Sequence, residues 1–237
     1  MSIRQNLIVA LGGAAIGLLC ALAGPGGVAR AQAPAGPVPW GLPPLPPEVG
    51  PVEKFADVSG TPQGQFLEGG SFDTQGNLWF VAIGSGWISY LAPDGKLVPV
   101  VNCNPLPELG QTCEPQGSRW LDGKLYLTSR HRGILVYDPQ TKELKTLVYT
   151  YRNQLFKGPN DLDFDAEGNL FFTDPWATGP GPNLSDRTGA IYQYSRDGVL
   201  RKAMDSGNFP NGIAVSPDDS VLAIGDCTAG RMCTRAL

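Results

Sequence analysis

The sequence lacks the patterns that mark many catalytic and nucleic-acid-binding proteins. It has one histidine, His131, and no Cys/His spacing typical of a zinc site. No run of lysine and arginine occurs, and the net charge is −4, which argues against a nucleic-acid partner. The G-x-S-x-G motif of a nucleophile elbow is also absent, so nothing predicts a serine hydrolase.

Glycine and proline are instead abundant, with 31 and 22 residues in a chain of 237. Both residues interrupt long helices and are frequent in turns. The composition therefore favours an all-β fold built from many short strands.

Residues 1–33 have the pattern of an export signal. Arg4 supplies a positive charge, the segment from Leu7 to Ala23 is almost wholly apolar, and two small-x-small cleavage motifs follow it. The alternative is a membrane anchor, because about 17 apolar residues approach the lower limit of a span. We expect cleavage, and hence a periplasmic or secreted protein with no membrane association. Residues 34–50 are rich in proline and are expected to form an extended leader.

Four cysteines follow the signal. An oxidising compartment permits disulfides. Cys103 and Cys113 flank the loop NPLPELGQT, which a local bridge would close. A pairing of Cys227 with Cys233 is less well supported, since four cysteines allow three pairings. The candidate disulfide is therefore Cys103–Cys113.

A repeated order of turn, strand, loop and strand runs through the chain. The turn glycines Gly76, Gly123 and Gly168 recur at steps of 47 and 45 residues. The first strands read NLWFVA, KLYLTS, NLFFTD and VLAIGD, and such residues suit a pleated surface. A period of about 45 residues without helices indicates the blades of a β-propeller. A β-sandwich is the alternative, but it does not require a repeat.

Residues 51–237 have the length of about four propeller blades. The stretch CTAGRMCTRAL, which follows the strand VLAIGD, lacks an alternating apolar pattern. We therefore expect an incomplete propeller domain over residues 51–237, with a last blade that stops after that strand.

Polar residues recur just before three of the repeat units. Glu68, Asn160 and Asn211 each lie five residues before a turn, so the fold should direct them towards a common axis. One carboxylate with two amide oxygens suits Ca²⁺ or Mg²⁺ better than Zn²⁺. The alternative is that the two asparagines only shape turns after Pro159 and Pro210. Recurrence at equivalent positions, together with Glu68, favours one divalent cation.

The alternation of Asp161, Asp163 and Asp165 does not form an EF-hand loop, because the required Gly and Glu are missing. Asp163 and Asp165 are interpreted as strand and turn polarity. Asp161 is interpreted as a support for Asn160.

Three stretches resemble motifs of the SMP-30/gluconolactonase/luciferin-regenerating-enzyme family of six-bladed propellers. They are LEGGSFD, GPNDLDFDAEGNLFFTD and PNGIAVSPDDSVL. A fourth, LYLTSRHRGILVYDP, is similar to the second blade of the lactone-hydrolysing branch. The likeness runs in order from about Phe66 to Gly225 and implies a propeller of this type, of which about four blades are present.

The resemblance implies a lactone hydrolase that uses one divalent cation, commonly Ca²⁺. It assigns Glu68, Asn160 and Asn211 as the ligands of a cation that polarises the lactone carbonyl. The family's further acidic residue would fall beyond Leu237, so no catalytic residue is assigned. Arg130 and His131 border the expected channel mouth and are candidates for substrate contact, with a solvated loop as the alternative.

Two other functions stay open. A truncated propeller without the acidic residue would be a non-catalytic binding module, and a phosphotriesterase-like hydrolase shares the same cation chemistry. The sequence predicts an exported, divalent-metal-dependent hydrolase of sugar-type or related lactones, with a small-molecule substrate. It leaves the individual substrate and the oligomeric state undefined.

Overall fold

A computed structural model describes residues 53–104, 112–175, 189–206, 209–226 and 231–236, the last for their backbone alone. The predicted export signal and leader, residues 1–50, lie outside these ranges. The chain divides into two units, Met1–Asp57 and Val58–Leu237, and every described strand belongs to the second. Among the described residues, no helix is long and apolar enough to cross a membrane.

The second unit is built from antiparallel sheets whose strands follow one another in chain order. The first sheet contains β1 (Leu67–Phe72), β2 (Leu78–Ala82), β3 (Trp87–Leu91) and β4 (Leu97–Asn102). The second contains β5 (Pro115–Leu121), β6 (Lys124–Ser129), β7 (Gly133–Asp138) and β8 (Glu143–Val148). A short hairpin follows, formed by β9 (Thr150–Tyr151) and β10 (Gln154–Leu155). The third sheet contains β11 (Leu162–Phe164), β12 (Leu170–Asp174), β13 (Ala190–Tyr194) and β14 (Leu200–Asp205). The fourth contains β15 (Pro210–Val215), β16 (Val221–Asp226) and β17 (Arg231–Ala236).

The apolar core lies between neighbouring sheets. One buried cluster joins Trp79 and Val81 of the first sheet to Leu125 and Leu127 of the second. A second cluster joins the second and third sheets, and a third joins the third and fourth. Full burial of each such side chain contributes about 1.5–3 kcal/mol, so each sheet is stabilised mainly by its neighbours.

The first strand of each sheet faces the first strand of the next. β1 contacts β5, β5 contacts β11, and β11 contacts β15. The sheets therefore stand side by side around their first strands, as the blades of a propeller do. This is the arrangement that the repeat predicts.

The turns between the first two strands of a blade follow the predicted chemistry. The Asp73 carboxylate accepts hydrogen bonds from the backbone and side-chain nitrogens of Asn77, at 2.9 and 2.8 Å. Asp165 accepts the same pair of bonds from Asn169, both at 2.8 Å. Gly76 adopts a φ of +83° in the first of these turns, a conformation that favours glycine.

The expectation that the last blade stops after VLAIGD is wrong. β17 pairs with β16 in antiparallel register along its whole length, from Asp226 opposite Arg231 to Val221 opposite Ala236. An antiparallel ladder joins backbone groups and needs no alternation of apolar side chains. The missing alternation therefore did not reveal this strand.

A disulfide links the first and second sheets. Cys103 follows β4, Cys113 precedes β5, and their Cα atoms are 5.7 Å apart. Both side chains are fully buried. The other pairing considered above lies outside the described residues, since it involves Cys227 and the side chain of Cys233.

Loss of the Cys103–Cys113 disulfide should lower the free energy of unfolding by about 2–4 kcal/mol, because the bridge restricts the unfolded chain. The measurement is urea denaturation of the wild type and of the C103S/C113S variant, each with and without dithiothreitol. The variant separates this bridge from any effect of the other cysteines. An equal response of both proteins to the reductant would contradict the prediction.

Candidate functional site

Each predicted cation ligand lies at an irregular point in, or just before, the first strand of its blade. In β1 the register shifts between Glu68 and Ser71, and in β15 it shifts between Pro210 and Ile213, on either side of Asn211. Such bulges turn a side chain out of the regular alternation and are frequent at binding sites.

The third blade has its irregular point just ahead of β11. The backbone N–H of Asn160 donates to the Thr173 carbonyl at 3.0 Å, and the N–H of Thr173 donates to the Asp161 carbonyl at 3.0 Å. Regular pairing then begins with Leu162 opposite Phe172. Asn160 and Asp161 therefore occupy the place that the bulge occupies in the other blades.

The second blade adds a fourth polar residue, Gln116, which the sequence did not identify. The register of β5 shifts between Pro115 and Ser118, so Gln116 lies where Glu68 lies in β1. A signal was present, because Glu68, Gln116 and Asn211 are each followed by glycine. The spacing hid it, since the tighter β5–β6 turn changes the distance between Gln116 and the next aspartate.

The irregular points of adjacent blades touch. A Cβ atom added to Gly69 would lie 2.5 Å from the Gln116 carbonyl oxygen, and one added to Gly117 would lie 2.5 Å from Asp161 Oδ1. Only glycine allows the neighbouring backbone to approach so closely. Glu68, Gln116, Asn160 and Asn211 thus follow one another along one arc, which we call the bulge arc.

A side-chain contact joins two members of the bulge arc. The amide nitrogen of Asn160 donates to Gln116 Oε1 at 3.3 Å. Gln116 is therefore placed to orient the side chain of a predicted ligand, and its amide lies within reach of the same site.

Asp161, predicted as a support for Asn160, ties the third blade to the fourth. Its carboxylate accepts hydrogen bonds from the backbone N–H of Leu162 at 2.9 Å and of Ile213 at 3.2 Å. Arg119 Nη1 lies 4.0 Å from the same carboxylate. Because Ile213 comes two residues after Asn211, Asp161 holds the strand that carries the next predicted ligand.

Asp163 and Asp165 serve the fold, as expected. Asp163 accepts a hydrogen bond from the Val215 N–H at 2.8 Å and pairs with Arg119 at 3.6 Å. Asp165 closes the turn described above. Neither carboxylate lies on the bulge arc.

Two carboxylates lie at the bulge arc: Glu68, which is one of its members, and Asp161, which directly follows Asn160. Burial raises the pKa of Glu68, and the negative charge of Asp161 raises it further. Burial also raises the pKa of Asp161, against the opposing effect of Arg119. The negative charge of Asp161 disfavours the ionised form of Glu68, and a cation bound beside them would stabilise it.

The donors on the bulge arc fit a hard divalent cation. They are carboxylate and amide oxygens, which Ca²⁺ and Mg²⁺ prefer. Within the described ranges, no group of three His, Cys, Asp or Glu side chains is placed to hold a metal ion. A cation here would therefore depend on the amide oxygens of Asn160 and Asn211 as well as on Glu68.

Arg130 and His131 lie in the loop after β6 and both contact Glu114. Arg130 Nη1 lies 3.2 Å and His131 Nε2 lies 3.6 Å from the Glu114 carboxylate. The carbonyl of Glu114 accepts hydrogen bonds from the Arg130 N–H at 3.1 Å and from Gln116 Nε2 at 3.5 Å. Glu114 thus connects the two candidate substrate contacts to the bulge arc, and the sequence did not identify it.

The loop that carries Asn160 is held by a buried carboxylate. Asp174 is 2% exposed and accepts hydrogen bonds from the N–H groups of Lys157 at 3.1 Å and Gly158 at 2.7 Å. Burial raises its pKa from 3.8 to about 6, although both hydrogen bonds oppose the change. Asp174 therefore fixes the backbone two residues before the predicted ligand.

Comparison with known proteins supports the resemblance seen in the sequence. The family model of the SMP-30/Gluconolactonase/LRE-like region matches residues 104–236. A gluconolactonase of Zymomonas mobilis is 34% identical over 137 residues, which cover 54% of this chain and 38% of the relative. A lactonohydrolase of Aspergillus oryzae is 29% identical over 132 residues, covering 48% of this chain and 30% of the relative.

The fold has close counterparts among solved structures. A gluconolactonase from Xanthomonas campestris superposes with a TM-score of 0.62 at 23% identity, covering 74% of this chain and 59% of that one. The all-β propeller architecture is thereby confirmed. The chain spans less than two thirds of the length of these relatives.

The buried Asp174 carboxyl should give stability a distinct dependence on pH. Its folded pKa of about 6 exceeds the ordinary 3.8, so its contribution is fully present below about pH 4 and is lost as the pH rises through 6. That loss amounts to about 3 kcal/mol. Asp174→Asn removes the titration, so the stability of the variant relative to the wild type should rise between pH 4 and 7.

The measurement is urea unfolding at pH 4, 5, 6 and 7 in the presence of a chelator. The variant starts from a lower baseline, since an amide can accept only one of the two hydrogen bonds. Glu143→Gln, on the outer strand β8, is the matched control. A difference between Asp174→Asn and wild type that stays constant across this range would refute the assignment.

Proposed function

The chain belongs to the SMP-30/Gluconolactonase/LRE-like family, and from this we propose that it is a divalent-metal-dependent hydrolase of sugar-type lactones. The observation that carries the proposal is the bulge arc, on which Glu68, Asn160 and Asn211 occupy equivalent places in three blades. The lactone-hydrolysing relatives support the reaction class. The proposal includes export to the periplasm or the medium, in keeping with the signal pattern of residues 1–33.

We assign Glu68, Asn160 and Asn211 as the residues that hold the cation, and Ca²⁺ as the cation. One carboxylate and neutral amide oxygens on separate strands suit its flexible oxygen coordination. When bound, it supplies Lewis-acid polarisation of the lactone carbonyl. The negative potential of Glu68 and Asp161 favours its binding.

The remaining polar groups of the site are assigned to the substrate. Gln116 lies between Glu68 and Asn160 and presents an amide that can donate to a sugar hydroxyl or accept from it. Arg130 and His131, beside Glu114, present N–H donors towards hydroxyl or carboxylate oxygens. Together they would orient the lactone against the bulge arc.

The proposed reaction is the addition of water across the ring ester. The water oxygen forms a bond to the carbonyl carbon, the bond from that carbon to the ring oxygen breaks, and the released oxygen takes a proton. The product is a hydroxy acid, which ionises near neutral pH to a hydroxycarboxylate and one proton, so turnover acidifies an unbuffered solution.

Glu68→Gln should abolish the cation site, because it removes the negative charge while keeping the size of the side chain. We expect at least about 100-fold slower hydrolysis of gluconolactone in a pH-stat assay with Ca²⁺, after subtraction of spontaneous ring opening. The increase in melting temperature caused by Ca²⁺ should also vanish. Glu143→Gln is the matched control and should retain both.

The same assay decides between the remaining functions. Wild-type turnover of a phosphotriester but not of lactones would instead support the phosphotriesterase-like function. Binding of Ca²⁺ without turnover of either substrate would support a binding module. Failure of Ca²⁺ to change the melting temperature, and of chelator to change the rate, would remove the cation site altogether.

Arg130→Gln and His131→Asn should weaken substrate binding and leave cation binding intact. Loss of one hydrogen bond to a charged group costs about 1.5–3 kcal/mol, so we expect KM to rise at least about 10-fold with little change in kcat. Steady-state kinetics and Ca²⁺ titration calorimetry provide the measurement, with Arg152→Gln on the β9–β10 hairpin as control. An unchanged KM would assign these residues to a solvated loop.

A further inference from the structure

Two buried threonines occupy the same place in neighbouring blades. Thr128 is the residue before the end of β6, and Thr173 is the residue before the end of β12. Both side chains are fully buried. Each lies beside the irregular point of its own first strand.

Their hydroxyl groups make the same pair of hydrogen bonds. Thr128 Oγ1 accepts a bond from the Gly117 N–H at 2.8 Å and donates to the Asn160 carbonyl at 2.5 Å. Thr173 Oγ1 accepts a bond from the Asp161 N–H at 3.0 Å and donates to the Asn211 carbonyl at 2.9 Å. Each hydroxyl therefore accepts from the bulge of its own blade and donates to the predicted cation ligand of the next.

Packing alone does not require a threonine at this place. The first blade carries Val81 at the equivalent position, opposite Glu68, and that side chain is also fully buried. The corresponding link from the second blade back to the first is made by the Ser118 hydroxyl, which donates to the Gly69 carbonyl. Valine and threonine have nearly the same shape, so the hydroxyl is what distinguishes the second and third blades.

We propose that the hydroxyl groups of Thr128 and Thr173 are positioning groups for the cation site. Each holds the backbone carbonyl of one asparagine ligand in place. The position of the Cα atom, from which the side-chain amide extends, is restricted as a result. The proposal rests on the proposed function, since it assigns these threonines to the cation site named there. The new element is that hydrogen bonds from the threonine hydroxyls of one blade hold the ligand of the next blade in position.

The bonds have the character that such a role requires. Both threonine side chains are fully buried, and each hydroxyl both accepts and donates. The β15–β16 ladder is interrupted at Asn211, between Pro210 and Ile213, and the Thr173 hydroxyl binds the Asn211 carbonyl there. The Asn160 carbonyl also accepts a hydrogen bond from the Gly117 N–H at 2.8 Å, and the Thr128 hydroxyl is its second donor. Outer groups that orient cation ligands change affinity about 10–100-fold when removed.

The test is Ca²⁺ titration calorimetry on the full chain with Thr128→Val and Thr173→Val. We expect Kd to rise at least about 10-fold in each, whereas Thr128→Ser and Thr173→Ser, which keep the hydroxyl, should stay within about threefold of wild type. Ser89→Ala is the matched control. Ser89 is fully buried and its hydroxyl has no hydrogen-bond partner among the described residues, so its removal should leave Kd unchanged.

Urea unfolding in the presence of chelator separates positioning from stability. If a valine variant is less stable but binds Ca²⁺ with the wild-type Kd, the replaced threonine has only a structural role. The proposal is then overturned for that residue. Should a valine variant fail to fold, the corresponding alanine variant is titrated, and its comparison with the serine variant decides in the same way. Wild-type protein that binds no Ca²⁺ overturns both this proposal and the proposed cation site, whereas normal binding by both valine variants overturns this proposal alone.

Discussion

The burial of apolar side chains between neighbouring sheets is the interaction on which the rest of the structure depends. Within the part of the chain that the structure describes, each core cluster draws residues from two neighbouring sheets. Sheets that must cover each other's faces stand side by side, and their first strands then meet. The polar residues of those strands converge because burial of the apolar residues elsewhere in the sheets brings the first strands together.

The bulge arc shows how the backbone adapts to that convergence. First strands that approach this closely leave no room for a Cβ atom at Gly69 or Gly117. The strands also leave regular register at these points, which frees backbone groups from the ladder. Side chains of the neighbouring blade then satisfy those groups, as the hydroxyls of Thr128 and Thr173 do. The contacts that pack the blades together therefore also shape the site.

The carboxylates at the site are not placed to stabilise the fold by their charges alone. Glu68 and Asp161 are half-buried, and this partial burial raises the pKa of each. The negative charge of Asp161 raises the pKa of Glu68 further. Arg119 compensates Asp161 only at 4.0 Å. Asp161 also accepts hydrogen bonds from the Leu162 and Ile213 N–H groups, as Asp163 and Asp165 accept bonds from backbone donors. Asp161 therefore serves the fold and also brings negative charge close to Glu68. A bound cation would relieve the repulsion that the Asp161 charge exerts on an ionised Glu68.

The sequence by itself determined the turns, the repeat and three of the four polar positions on the bulge arc, because Asp-x-x-Gly-Asn chemistry and strand composition act over a few residues. Only the tertiary structure placed Gln116, Glu114 and the threonine hydroxyls beside the predicted ligands, since these contacts come from strand register and from packing between blades. It also showed β17, whose pairing depends on backbone groups that every residue carries. Local patterns determine what a short segment can form, whereas the contacts of this site join residues about 40 positions apart, and only the packed sheets bring these together.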